Sequence, residues 1–205
     1  MKYLKALGIA AVAAMVLTAF LGASSASATV LCKTTSTPCG AEWHYSTGTE
    51  IHATLKPGTK AIFSASGIIG ECSESTIASK TTNTGSASET VDGKIEKEKL
   101  TWGSCTAEKT ETVKGGLLEI HWIPGTDNGT VTMREVEWTS KSAGISCTYG
   151  AGEGIDLGTL TGGAESTISV NTIVNVTGGF LCPKTVTWTA EYVVTSPTPL
   201  FVSTN

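Results

Sequence analysis

An all-β domain, an antiparallel β-sandwich or irregular barrel stapled by disulfides and preceded by a cleaved signal helix, is the fold this sequence predicts. Three observations carry that reading. Thr, Ser, Gly and Val dominate after residue 28, where no window sustains an apolar period of 3.6. Segments such as KTVTWTAEYVV alternate between apolar and polar residues. All six cysteines, an even count, follow the leader. Thr and Val are stiff at χ1 and fit a pleated surface, while the many glycines punctuate turns, so short strands joined tightly are favoured.

Residues 1–28, ending in Ala26-Ser27-Ala28, read as a secretory signal peptide: Lys2 and Lys5 lead an uncharged apolar run from Ala6 to Leu21, and small residues close it. The run is short for a membrane span of about 20 residues. Cleavage is expected after Ala28, which leaves residues 29–205 as a single disulfide-bonded β domain, secreted to the extracellular space, with no stable membrane insertion. Leu31, not a small residue, precedes Cys32, which disfavours lipidation.

Export to an oxidising compartment turns Cys32, Cys39, Cys72, Cys105, Cys147 and Cys182 into three expected disulfides. Six cysteines allow fifteen pairings. Spacing ranks Cys32 with Cys39 first, then Cys72 with Cys105 and Cys147 with Cys182, each spanning one or two hairpins. A zinc site needs close C-x-x-C pairs or nearby histidines, and Cys32 to Cys39 has neither.

The strands follow in order. EIHATLK from Glu50, KAIFSA from Lys60, STIASK from Ser75 and GKIEKEKLTW from Gly93 are candidates. GLLEIHWI and GTVTMREVEW flank PGTDNGT, a turn rich in residues that tolerate positive φ, which predicts a hairpin. Within the second arm the apolar set changes face between Met133 and Val136, the mark of a β-bulge or a strand that switches sheets. GTLTGG from Gly158 comes next. STISVNTIVNV places Ile168, Val170, Thr172, Val174 and Val176 on one face. A Gly178-Gly179 turn then leads by way of Phe180 and Cys182 to KTVTWTAEYVV, with Val186, Trp188, Ala190, Tyr192 and Val194 on its core face.

With the two leader lysines removed, 12 basic residues face 18 acidic ones. Phosphate binding needs a basic patch, so nucleic acid is not an expected partner. His44, His52, His121, Asp92, Asp127 and Asp156 are the whole inventory for a triad or a histidine metal site, and no G-x-S-x-G or H-E-x-x-H motif is present. No catalytic residue, cofactor or metal site is assigned. Glu135 and Glu137, two apart on a strand, share a face at about 7 Å, a spacing that suits a glycosidase pair and equally a solvated sheet face. Glu96 and Glu98 repeat the spacing beside Lys94, Lys97 and Lys99. Among the five tryptophans, Trp188 is core and Trp102 lies beside a bridge. Trp43, Trp122 and Trp138 are left as candidates for stacking on sugars.

VLCK…PCG just after the leader, the spaced cysteines, TLTGG and the closing CP…VTWTAEYVVTSPTPLFV resemble a group of uncharacterised secreted six-cysteine, Thr/Gly-rich β proteins of high-GC Gram-positive soil bacteria. The resemblance implies export and a shared β fold and carries no chemistry. The functional expectation is a non-enzymatic extracellular protein with a structural or binding role toward an extracellular ligand or surface. A secreted polysaccharide-acting hydrolase or carbohydrate-binding module is the alternative. The two readings part on placement: Glu135, Glu137 and two of Trp43, Trp122 and Trp138 in one cleft would favour the second.

Overall fold

The structure is a computed structural model and describes residues 28–65, 68–85 and 90–205. The expected signal helix therefore lies, except for Ala28, outside the described residues. The described residues hold fifteen strands: β1 Val30–Cys32, β2 Glu50–Leu55, β3 Ala61–Ala65, β4 Ile68–Thr81, β5 Val91–Ile95, β6 Leu100–Cys105, β7 Lys109–Lys114, β8 Gly116–Trp122, β9 Gly129–Arg134, β10 Glu137–Ser142, β11 Ile145–Gly150, β12 Ile155–Thr161, β13 Thr167–Gly178, β14 Thr185–Ser196 and β15 Phe201–Ser203. Among the described residues the remaining elements are single 3-10 turns at Ala41–Trp43 and Lys97–Lys99.

Hydrogen bonding closes a ring. β2, β4, β5, β8, β9, β12, β13 and β14 pair in that order, and β14 returns to β2, so eight antiparallel strands form a barrel. The sandwich alternative gives way to the barrel because β2 pairs on both edges, Ala53 facing Ile77 of β4 and Val194 of β14. Closure leaves this part of the sheet without an open edge.

Below this ring the same sheet continues. β3 carries on where β2 stops, again between β4 and β14, and β11 does the same where β12 begins, along β13. β6 follows β5 along β4, while β10 and β7 follow β9 and β8. The wall is thus eight long strands, five of them interrupted once. β6 and β7 are the one neighbouring pair of the lower half with no ladder between them; there the Thr112 hydroxyl donates to the Leu100 carbonyl at 2.6 Å. The interruptions let long strands coil without splaying, as bulges do.

One interruption falls where the apolar face changes. Met133 and Val136 are both buried, and Glu135 between them has φ 60°. GKIEKEKLTW, expected as one strand, is broken instead into β5 and β6 by the 3-10 turn at Lys97–Lys99. Glu96 and Glu98 therefore do not share a strand face. The charged run EKEK has no apolar side to bury, so nothing favours threading it through the wall.

Inward positions fill the barrel. On β13, Ile168, Val170, Thr172 and Val174 are buried; on β14, Val186, Trp188, Tyr192 and Val194 are. The two strands pair antiparallel over nine positions, from Thr167 with Val193 to Asn175 with Thr185. At mid-height Phe63, Trp102, Trp138 and Trp188 form a plug, with Trp138 5.6 Å from both Trp102 and Trp188 between ring centroids. Such tilted and edge-on pairs contribute about 0.5–1.5 kcal/mol each beyond burial. Gly158 of β12 passes so close to β13 that a Cβ would lie 1.8 Å from the Ser169 carbonyl oxygen, and its φ of 149° suits glycine alone.

β1 and β15 form a separate ribbon across one barrel end. Leu31, Leu200 and Val202 are buried there, Val202 N–H donates to the Asp127 carbonyl, and Trp122 N–H donates to the Thr29 hydroxyl. The Cys32–Cys39 disulfide staples the ribbon, and Cys39 N–H donates to the Thr204 carbonyl.

Candidate binding site at the barrel mouth

Among the described residues, the end opposite the ribbon is open. The lower strands finish there with the Ala143-Gly144 turn between β10 and β11, the Thr106–Glu108 turn between β6 and β7, and the segment 179–184 between β13 and β14. Between them lies a cavity of about 360 Å³. Its floor is the lower side of the aromatic plug: Trp138 and Phe63, with Tyr149 of β11 beside them. Trp138 stands 6.2 Å from Tyr149 and 6.1 Å from Phe63 between centroids, tilted 36° and 48°. Trp138 and Tyr149 are buried and Phe63 is half-buried, so the rings are the packed base of the cavity, with Phe63 the most exposed of the three. Burial pushes the Tyr149 phenol above its ordinary range, so it is un-ionised at neutral pH.

Strand alternation sets the walls. On β10, Trp138, Ser140 and Ser142 share the inward face, and on β7 Thr110 and Thr112 do. Thr110 Oγ1 and Ser140 Oγ are 3.4 Å apart. Opposite them, Cys147 and Ile145 of β11 and Val186 of β14 are apolar. Both long disulfides belong to this end: Cys72–Cys105 joins directly facing residues of β4 and β6, and Cys147–Cys182 ties β11 to segment 179–184.

That segment forms the rim. Gly179 has φ 109°, and a Cβ there would lie 2.4 Å from the Ser146 carbonyl oxygen and 2.6 Å from Cys182 Sγ. Leu181 follows with φ 64°. Phe180 is 84% exposed and Leu181 73% exposed, an unusual display for adjacent large apolar residues, with Leu181 and Pro183 lining the opening. Among the described lining residues Glu71 alone is charged, and its carboxylate accepts from the Lys60 ammonium.

The sequence candidates are dispersed. Trp43 sits in the Ala41–Trp43 turn, 49% exposed, and its carbonyl accepts from Lys33 N–H. Trp122 ends β8 at the ribbon end, its indole donating to the Thr126 carbonyl at 2.6 Å. Trp138 alone reaches the cavity. Glu135 lies in the interruption, 3.5 Å from Lys114 Nζ, and Glu137 begins β10 one position before the inward Trp138. Neither carboxylate lines the mouth, so these five residues do not share one cleft. All six cysteines form the three ranked disulfides. The histidines are apart: His44 Nε2 is 3.2 Å from the Cys39 carbonyl, His52 pairs with Glu50, and His121 is exposed on β8.

A second depression, of about 330 Å³, lies on the outer wall among Glu50, His52, Lys80, Lys94, Glu96 and Lys99, a mixture of both charges. Among the described residues no group of three or more His, Cys, Asp or Glu side chains is placed to hold a metal ion, and no helix is long and apolar enough to cross a membrane.

Phe63, Tyr149, Thr110, Ser140, Ser142 and Leu181 were not legible as site residues. One signal was present: in EWTSKS a buried Trp is followed on its own face by two serines, so the inward face turns polar toward one end of the barrel. The chain matches no protein-family model, no curated protein and no solved structure.

Proposed function

We propose that this chain is an exported, non-enzymatic binding protein whose barrel takes a small ligand into its open mouth. The observation that carries the reading is the cavity of about 360 Å³ floored by Trp138, Phe63 and Tyr149. The mouth of a small β-barrel is a favoured place for ligands, and a concave, mostly apolar site with a few polar groups is their usual setting. Three disulfides, two of them at this end, and the leader of residues 1–28 support an extracellular life for the protein.

The test is binding of Nile red, an uncharged dye whose emission shifts to the blue in apolar surroundings, to the protein with its disulfides intact. One saturable site per chain is expected, weakened at least fivefold by Leu181→Asp, which alters an exposed rim residue and leaves the core untouched. A signal that never saturates, or one indifferent to Leu181→Asp, overturns the proposal.

A further inference from the structure

We propose that the ligand of the mouth is a small, uncharged aromatic compound carrying a hydroxyl group, a phenol or naphthol in class; the inference rests on the mouth being a binding site at all. Four features lead there. First, the cavity lies against an aromatic cluster: Phe63 is half-buried, and Trp138 (1% exposed) and Tyr149 (6% exposed) pack with it, Trp138 6.1 Å from Phe63 and 6.2 Å from Tyr149 between centroids. An added ring would extend this cluster at the 4.5–7 Å separations that aromatic pairs prefer. A flexible aliphatic chain of equal area would lose rotamer freedom on the same surface and gain no ring pairing.

Second, one wall bears hydroxyls that only one long mutual bond engages. The bond between Thr110 Oγ1 and Ser140 Oγ is long, 3.4 Å against the usual 2.5–3.0 Å, and uses one of the two hydroxyl hydrogens. Between them they keep one donor and acceptor capacity for a ligand hydroxyl, and Ser142 extends the row on the same face of β10. Third, Glu71 already has Lys60, so an ionised ligand would shed water and meet no free counter-charge among the described lining residues. Fourth, about 360 Å³, open at the mouth, lies at the small end of ligand pockets and favours a compact ligand. A sugar, with hydroxyls all round, would leave several unpaired against the floor and the disulfide wall.

The experiment measures affinity by isothermal titration at pH 7 for 2-naphthol, 2-naphthoate, naphthalene and decan-1-ol, with Nile red binding run on the same preparation. The expected result is 2-naphthol at least tenfold tighter than 2-naphthoate and decan-1-ol. In the double variant Ser140→Ala, Ser142→Ala, 2-naphthol should weaken three- to tenfold while naphthalene holds constant, and an unchanged near-UV spectrum would confirm the fold. If Nile red binds but decan-1-ol or 2-naphthoate matches 2-naphthol, the ligand class is wrong and the binding mouth stands. Equal losses for 2-naphthol and naphthalene in the double variant overturn the role of the hydroxyl wall. If neither Nile red nor any of the four binds, both proposals fall.

Discussion

The Tyr192 phenol and the Ser75 hydroxyl meet at 2.9 Å inside the barrel, 117 residues apart in sequence. Ser75 has one hydroxyl hydrogen, which it donates to the Thr101 carbonyl at 2.9 Å, so Tyr192 is the donor to Ser75. The contact joins β14 to β4, the two strands that flank β2.

Burial pushes the Tyr192 phenol well above its ordinary range. A raised folded value means that the folded chain keeps this proton after the unfolded chain, near pH 10, has lost it. Stability from this group is therefore full below about pH 10 and falls above it, by about 1.4 kcal/mol per pH unit until the folded phenol ionises. Urea unfolding between pH 9 and 11.5 should show that slope, and Tyr192→Phe should flatten it. An identical slope in the variant would place the alkaline loss elsewhere.

Trp188 is fully buried at the centre of the plug, 5.9 Å from Phe63 and Trp102 and 5.6 Å from Trp138. Trp188→Ala should lower stability by about 3–5 kcal/mol, since packed neighbours on three sides cannot collapse into the space. Denaturant unfolding measures it, and a loss under about 1 kcal/mol would contradict a packed plug.

The Cys147–Cys182 bridge closes a 35-residue interval and anchors the rim. Replacing both cysteines with serine should cost roughly 3–4 kcal/mol in the chain-entropy model. It should also weaken Nile red binding, because Leu181 and Pro183 lose their tether. Unchanged binding in a variant that still folds would show that the rim does not shape the mouth.

Thr29 is buried, and its hydroxyl accepts from Trp122 N–H at 2.9 Å. Export with cleavage after Ala28 predicts that protein recovered from the producer's medium begins at this anchored residue. Terminal sequencing tests it, and an intact leader would contradict export by this route.

How far the sequence reached follows from how local each feature is. The three disulfides, the β8–β9 hairpin and the inward faces of β13 and β14 depend on spacing and alternation within one or two strands, and these were readable. Closure was not, because it rests on β2 pairing with both β4 and β14, and nothing in EIHATLK states that both its edges are taken. The mouth was hidden for another reason. Ser140 and Ser142 look like solvent-facing residues in a one-dimensional pattern, whereas the barrel turns that same face into the lining above Trp138. Trp43 and Trp122, which share Trp138's chemistry, were separated from it only by the fold.

Binding of a ligand in the mouth, as proposed, is read directly from the indole N–H signals of the tryptophans. In a two-dimensional NMR titration with 2-naphthol, the Trp138 indole should shift in a saturable manner while Trp122, bonded to Thr126 at the opposite end, stays fixed. Movement of Trp122 or Trp43 with Trp138 unmoved would rule out binding at the mouth.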